Sequence, residues 1–174
     1  MRQVYVHEEP DRCVIGTVGA PGQRTFFLQV RSGSRVNAVV LEKEQASLLA
    51  DRLLALLADV EAPPGQSPRD DAPLDTPIEE DFRASSLGLG WNSQTDRVII
   101  EAHADTEAEV DVPDLEDDSE GPDTLRIRMS AADARAFAAR AQAVVSAGRP
   151  PCPFCELPLD PSGHICPRAN GYRR

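Results

Sequence analysis

The residues of this chain best suited to chemistry lie close together near the C-terminus. Cys152 and Cys155 form a C-x2-C pair, and His164 and Cys166 form an H-x-C pair a few residues further on. The first pair can place two thiolates on one cation, and the second pair can supply two more ligands. Four sulfur and nitrogen ligands suit tetrahedral zinc and leave no open coordination position, which is the pattern of a structural site. We therefore predict that zinc orders residues 150–174, a zinc-ribbon-like tail with too few apolar residues to fold alone.

Disulfide bonding is the alternative use of these cysteines, and the cellular compartment decides between the two. The N-terminal residues lack an apolar signal core, and no apolar run is long enough to span a bilayer. We therefore expect a cytoplasmic protein without a membrane span. In a reducing compartment, clustered cysteine and histidine favour a metal over disulfides, and the histidine favours zinc over iron. The isolated Cys13 lies in an apolar run, which predicts a small buried side chain rather than a reactive thiol.

The charge of the chain limits its partners. A net charge of −11 over 174 residues opposes binding to nucleic acid or to an anionic membrane. The charge is uneven, because residues 104–123 hold ten acidic residues and no basic residue. This composition predicts a solvated, mobile insertion, with mimicry of a nucleic-acid backbone or cation binding as the functional alternatives. The acidic spacing does not match a calcium-binding loop.

Two stretches of the chain each have the pattern of three strands followed by a helix. In the first stretch, the strands are predicted at 12–18, 24–31 and 35–41, and the helix at 42–60. In the second stretch, the strands are predicted at 83–91, 96–103 and 124–129, and the helix at 130–148. The helices are indicated by apolar residues at three- and four-residue steps, and Ser130 with Asp133 is a typical start of a helix. Gly16 aligns with Gly88, and Arg52 aligns with Arg140, which suggests an internal repeat.

The predicted fold is therefore an α+β protein built from duplicated βββα units. We expect residues 1–61 to form the first unit and residues 79–149 the second, with six antiparallel strands and two helices packed as a pseudo-dimer. The proline-rich residues 62–78 are predicted to be an extended linker between the units. A protease should cut first in this linker and in the acidic insertion 104–123.

The C-terminal pattern also carries a resemblance to a known family. The sequence C-P-F-C followed by H-x-C-P-R-x-N-G-Y-R-R, together with the opening R-Q-V-Y and the helix start L-E-K-E-Q, resembles an actinobacterial family of uncharacterised proteins. That family is classed as a domain of unknown function. The resemblance implies a zinc-ribbon-like C-terminal element with four presumed ligands, which are Cys152, Cys155, His164 and Cys166. It also implies a family-typical end at Asn170, Gly171, Tyr172, Arg173 and Arg174, and it supplies no activity.

The leading functional hypothesis is a non-enzymatic interaction or regulatory module that docks a protein partner through its zinc tail. It rests on the closed metal site and on the lack of a recognisable catalytic motif in the sequence. Arginine forks and a tyrosine can recognise acidic groups. The candidate contacts in the tail are Arg168, Asn170, Tyr172, Arg173 and Arg174.

Two other function classes stay open. The first is an enzyme or ligand-binding protein for a small anionic or phosphate-containing molecule, held in a cleft between the units that Arg52 and Arg140 would both face. The second is nucleic-acid binding through the zinc tail, which the net charge makes unlikely. His7 and His103 are predicted to be surface or strand-end residues rather than catalytic bases.

Overall fold

The computed structural model describes residues 2–20, 22–105, 121–147, 152–156 and 166. The described residues form seven strands and two helices. In chain order these elements are β1 (Val4–Glu8), β2 (Arg12–Val18), β3 (Thr25–Ser32), β4 (Arg35–Leu41), α1 (Lys43–Asp59), β5 (Phe82–Asn92), β6 (Arg97–Ala104), β7 (Thr124–Ser130) and α2 (Ala131–Ser146). The α+β class is confirmed, and the order of three strands and a helix occurs twice. A duplication as the origin of that order stays a prediction.

All seven strands belong to one mixed sheet in the order β1-β7-β6-β5-β4-β3-β2. The sheet is mostly antiparallel, as predicted, but it has seven strands rather than six, and two of its six pairings are parallel. The two halves join through a parallel pairing of β4 with β5, because the chain returns to the sheet by way of α1. A seventh strand, β1, pairs in parallel with β7, and it was not predicted. Its partner lies far away in the sequence, so no local turn signals the pairing.

Both helices begin with side chains that satisfy free backbone amides. Glu42 and Gln45 form a capping box at the start of α1, and the Gln45 side chain accepts from the Glu42 amide at 2.8 Å. At the start of α2, Ser130 Oγ accepts from the Asp133 amide at 3.1 Å, as predicted. Among the described residues, no helix is long and apolar enough to cross a membrane.

The two helices pack against each other and against one face of the sheet, where the main core lies. Leu53 of α1 and Phe137 of α2 are buried there between Leu28, Ile100 and the other inward-facing strand residues. Apolar residues at three- and four-residue steps place one stripe of each helix on this core. The helical stripes found in the sequence are therefore confirmed as core positions.

Residues 62–78, which we call the strap, run along α2 and then reach the opposite face of β2, β3 and β4, where Leu74 and Ile78 pack. These residues form neither helix nor strand. The buried guanidinium of Arg12 donates to Asp70 Oδ2 at 2.6 Å and to the carbonyls of Ala72 and Pro73 at 2.9 and 2.8 Å. Gln29 on β3 exchanges two hydrogen bonds with the backbone of Asp75, at 3.0 and 2.8 Å. The sequence predicted an extended linker between the units, and these contacts attach that segment to the sheet.

Leu74 is the apolar anchor of the strap. Its side chain is 9% exposed and belongs to a second, smaller core on the outer face of the sheet. The other buried members of this core are Val14, Phe27, Ala38 and Val40. Gly16 on β2 makes room for Leu74, because a Cβ atom at position 16 would lie 2.5 Å from Leu74 Cδ2.

The fit of Leu74 over Gly16 gives a testable prediction for the strap. We expect Gly16→Ala to lower the free energy of unfolding by about 1–3 kcal/mol, the usual cost of an overpacked core. The penalty should disappear in a Leu74→Ala background, where the clash has no partner. Gly88→Ala is the matched control, since its Cβ would meet only Glu101 Cβ at 3.9 Å. Chemical denaturation measures all of these variants, and a Gly16→Ala penalty that is the same in both backgrounds would show that the strap does not pack there.

Candidate metal centre

The sulfur atoms of Cys152, Cys155 and Cys166 all lie within 4.8 Å of one another. The Sγ atoms of Cys152 and Cys166 are 3.8 Å apart, whereas a disulfide bond would bring two sulfurs to about 2.05 Å. All three cysteines are free thiols, and Cys152 and Cys166 are buried, at 3% and 6% exposure. The structure therefore brings together three of the four predicted ligands in an arrangement that could hold a metal ion.

The local backbone prepares Cys152 to act as a ligand. Residues 153–155 form a turn, and the Glu156 amide closes it by donating to the Cys152 carbonyl at 2.9 Å. This turn aims the backbone amides of Cys155 and Phe154 at the Cys152 sulfur, and these hydrogen bonds lower the pKa of Cys152 to about 6. Amide donors stabilise the thiolate, which is the form that binds a metal.

The other predicted residues of the tail lie outside the described residues. They are His164, Arg168, Asn170, Tyr172, Arg173 and Arg174. The fourth ligand and the C-terminal recognition residues therefore stay predictions.

Arg52 and Arg140 do not face a common cleft, so that prediction is wrong. Arg52 is exposed on α1. Arg140 on α2 is buried at 5% exposure and donates to the carbonyls of Ile15, Asp70 and Ala72 at 2.8, 2.6 and 2.7 Å. The strap passes over the second unit and supplies two of these carbonyls. Arg140 therefore fastens the strap to α2 and β2, and this is a structural role.

A cleft of about 720 Å³ does lie between the two units, at the start of α1 and the end of α2. Its basic side chains are Arg24, Lys43 and Arg83. Arg24 donates to the Val144 carbonyl at 3.1 Å, and Arg83 pairs with Glu42 at 2.9 Å. The charged residues of the cleft are partly or fully exposed. Two of them, Glu42 and Glu44, are acidic, and the described residues of the cleft include no nucleophile paired with a base.

A buried charge pair on the outer face of the sheet was not predicted. Glu101 on β6 and Arg126 on β7 are each 3% exposed, and Arg126 Nε donates to Glu101 Oε1 at 2.7 Å. His103 Nε2 lies 3.2 Å from Glu101 Oε2, and its Nδ1 lies 3.0 Å from Thr124 Oγ1. The close contact with His103 and the pairing with Arg126 hold the pKa of Glu101 below its usual value, although burial acts in the other direction. His103 lies near the end of β6, in agreement with the predicted strand-end position.

Comparison with known proteins places the chain in a family without supplying an activity. No curated protein and no solved structure matches the sequence. A family model does match, over residues 5–166, and this span includes Cys152, Cys155, His164 and Cys166. It covers both units, the strap and the acidic insertion, and it ends before the arginines of the tail. The chain therefore belongs to the family described as a protein of unknown function, DUF3090.

Proposed function

We propose that this protein is a zinc-binding interaction module, in which a metal-ordered knuckle presents Phe154 to a protein partner. The knuckle consists of residues 152–156 together with Cys166. The observation that carries the proposal is the exposure of Phe154, which leaves 62% of its surface in solvent between two cysteines of the cluster. A large aromatic side chain at such a position gives a partner an anchor of fixed geometry.

The spacing of the sulfur atoms supports zinc as the metal. Two thiolates at tetrahedral positions, each about 2.3 Å from zinc, lie about 3.8 Å from each other. The sulfurs of Cys152 and Cys166 are separated by 3.8 Å. With His164 as the fourth ligand, the site would be closed to substrate, and the metal would have a structural role.

The energetics favour Phe154 over other apolar surface residues as the anchor. Among the described residues, the other exposed large apolar side chains are Leu48, Val18 and Val36, at 49%, 45% and 39% exposure. Those three lie on regular helix and strand surfaces, where single exposed apolar residues are common. Phe154 lies in a turn closed by Cys152 and Cys155, so its presentation costs little conformational entropy. Full burial of such a side chain by a partner would contribute about 1.5–3 kcal/mol.

A second candidate function is the binding of a small anionic molecule in the cleft between the units. The volume of about 720 Å³ and the side chains of Arg24, Lys43 and Arg83 favour it, whereas Glu42 and Glu44 in the same lining oppose it. We rank it below the interaction module, because Arg52 and Arg140 do not contribute to the cleft. Nucleic-acid binding through the tail ranks third, since the net charge of −11 opposes it.

A comparison of two matched variants tests the interaction module. Tagged wild-type protein, Phe154→Ala and Leu48→Ala would each be purified from native lysate, and the co-purified proteins would be quantified by mass spectrometry. We expect Phe154→Ala to reduce a specific partner by about tenfold or more, as the loss of a 1.5–3 kcal/mol anchor implies. Leu48→Ala should retain the partner, and both variants should keep their metal. Equal recovery with all three proteins would contradict a docking role for Phe154.

A further inference from the structure

Four polar side chains form a continuous hydrogen-bonded relay where β1 crosses the hairpin of β3 and β4. His7 lies near the end of β1, as one of its two predicted positions had it, but it is fully buried, at 0% exposure, and not on the surface. Its Nδ1 lies 2.7 Å from Ser32 Oγ, and its Nε2 lies 2.8 Å from Asn37 Oδ1. Asn37 Nδ2 donates to Asp81 Oδ2 at 3.1 Å, so the relay runs from Ser32 to a carboxylate.

The chemistry of the partners fixes the direction of each hydrogen bond. Because Asp81 can only accept, Asn37 turns its amide nitrogen toward that carboxylate and its oxygen toward His7. His7 Nε2 must therefore carry a proton. Burial, the largest influence, lowers the pKa of His7 and keeps the ring neutral, which leaves Nδ1 as an acceptor for the Ser32 hydroxyl. Nucleophile, base and orienting amide are thus connected in the order used by hydrolytic triads.

The surroundings of Ser32 suit attack on a carbonyl group. Ser32 is partly exposed at the end of β3, next to the two-residue turn formed by Gly33 and Ser34. A Cβ atom at position 33 would meet nothing within 4 Å, so the space beside the Gly33 backbone is open. The Gly33 amide already donates to an anionic oxygen, Asp11 Oδ2, at 2.6 Å. The amide of the residue after a nucleophile is a common donor to the oxyanion in acyl transfer.

We propose that Ser32 is an activated nucleophile that takes an acyl group from activated esters, with His7 as its base. Asn37 and Asp81 are positioning residues, and the Gly33 amide stabilises the oxyanion once Asp11 moves away. This site is independent of the metal knuckle and of the proposed interaction function.

The acylation step balances without a metal, an oxidant or another reactant. Ser32 Oγ forms a bond to the carbonyl carbon while its proton passes to His7 Nδ1. The tetrahedral intermediate then collapses, and the bond from that carbon to the leaving oxygen breaks. The leaving group takes the proton from His7 and departs as an alcohol or phenol, and an ester remains on Ser32.

Acetylation by p-nitrophenyl acetate tests the proposal on the intact wild-type protein. Mass spectrometry of peptides would give the acetylation rate at each serine, and Ser34 in the same turn is an internal control that has no histidine partner among its described contacts. Since general-base assistance is worth on the order of 10²–10⁴ in rate, we expect Ser32 to react at least about a hundredfold faster than Ser34. The fast adduct should vanish in Ser32→Ala and persist in Ser34→Ala.

The rate of Ser32 acetylation in the Asp11→Ala variant is a second test. This rate would not change if the relay had only a structural role. This variant frees the Gly33 amide, and one oxyanion donor is worth on the order of 10²–10³ in rate, so acetylation of Ser32 should rise by about tenfold or more. Asp11 is exposed, so the variant should fold. Equal rates at Ser32 and Ser34, or no increase in Asp11→Ala, would overturn the proposal and leave the relay as a fastening between β1 and the hairpin.

Discussion

Arg140→Ala should lower the free energy of unfolding by about 1–3 kcal/mol, the cost expected when buried hydrogen-bond acceptors lose their donor. The substitution deletes donors to the carbonyls of Ile15, Asp70 and Ala72 and empties a buried volume between α2 and the strap. It also takes one of two arginines from the Asp70 carboxylate, which then depends on Arg12 alone. A protease should cut the strap faster in this variant than in the wild-type protein.

Arg52→Ala is the matched control, because Arg52 occupies the corresponding position in α1 in the predicted repeat. Its side chain is exposed, so the change should stay within about 0.5 kcal/mol. Chemical denaturation followed by circular dichroism measures both variants. Similar losses of stability in the two variants, or none in either, would contradict the structural role of Arg140.

Cys155→Ser should abolish metal binding while the sheet and the two helices keep their stability. The loss of one thiolate leaves an incomplete ligand set, and structural zinc sites depend on all of their ligands. Neither Cys152, Cys155 nor Cys166 belongs to either apolar core. The unfolding free energy of the core should therefore change by less than about 0.5 kcal/mol, the range of substitutions away from buried features.

Cys13→Ala is the control for this prediction, since Cys13 packs against the main core and lies outside the cluster. Burial raises the pKa of its thiol well above the ordinary value, so it is an unreactive side chain at neutral pH. The Cys13→Ala variant should lose some stability and keep the full metal content. Loss of metal from Cys13→Ala, or full metal in Cys155→Ser, would show that the ligands have been assigned wrongly.

Sequence patterns correctly predicted those elements whose structure depends on residues close together in the chain. The strands of both units and the two helices were found from apolar periodicity, and the start of α2 was found from Ser130. The C-x2-C spacing predicted Cys152 and Cys155 as ligands, because a tight turn between two ligands is a local feature of the chain. Cys166 was predicted as a ligand because a four-ligand site needs two ligands beyond the C-x2-C pair.

What the sequence concealed depends on contacts between distant segments. The proline-rich composition of residues 62–78 indicates extended backbone, but only the folded sheet brings Arg12, Gln29 and Arg140 to its carbonyls. In the same way, His7 is polar and near the N-terminus, so burial against Asn37 was not foreseeable. The pairing of β1 with β7 explains the burial of His7, since it draws the N-terminal residues into the sheet.

The metal content of the purified wild-type protein tests the central claim most directly. Elemental analysis of the wild-type protein should find about one zinc per chain, as a site with four protein ligands requires. The same analysis of Cys155→Ser should find none. Mass spectrometry under non-reducing conditions should show all four cysteines as free thiols, in agreement with the structure. A zinc content below about a tenth of one ion per chain, or a disulfide between Cys152 and Cys155, would contradict a metal-ordered tail.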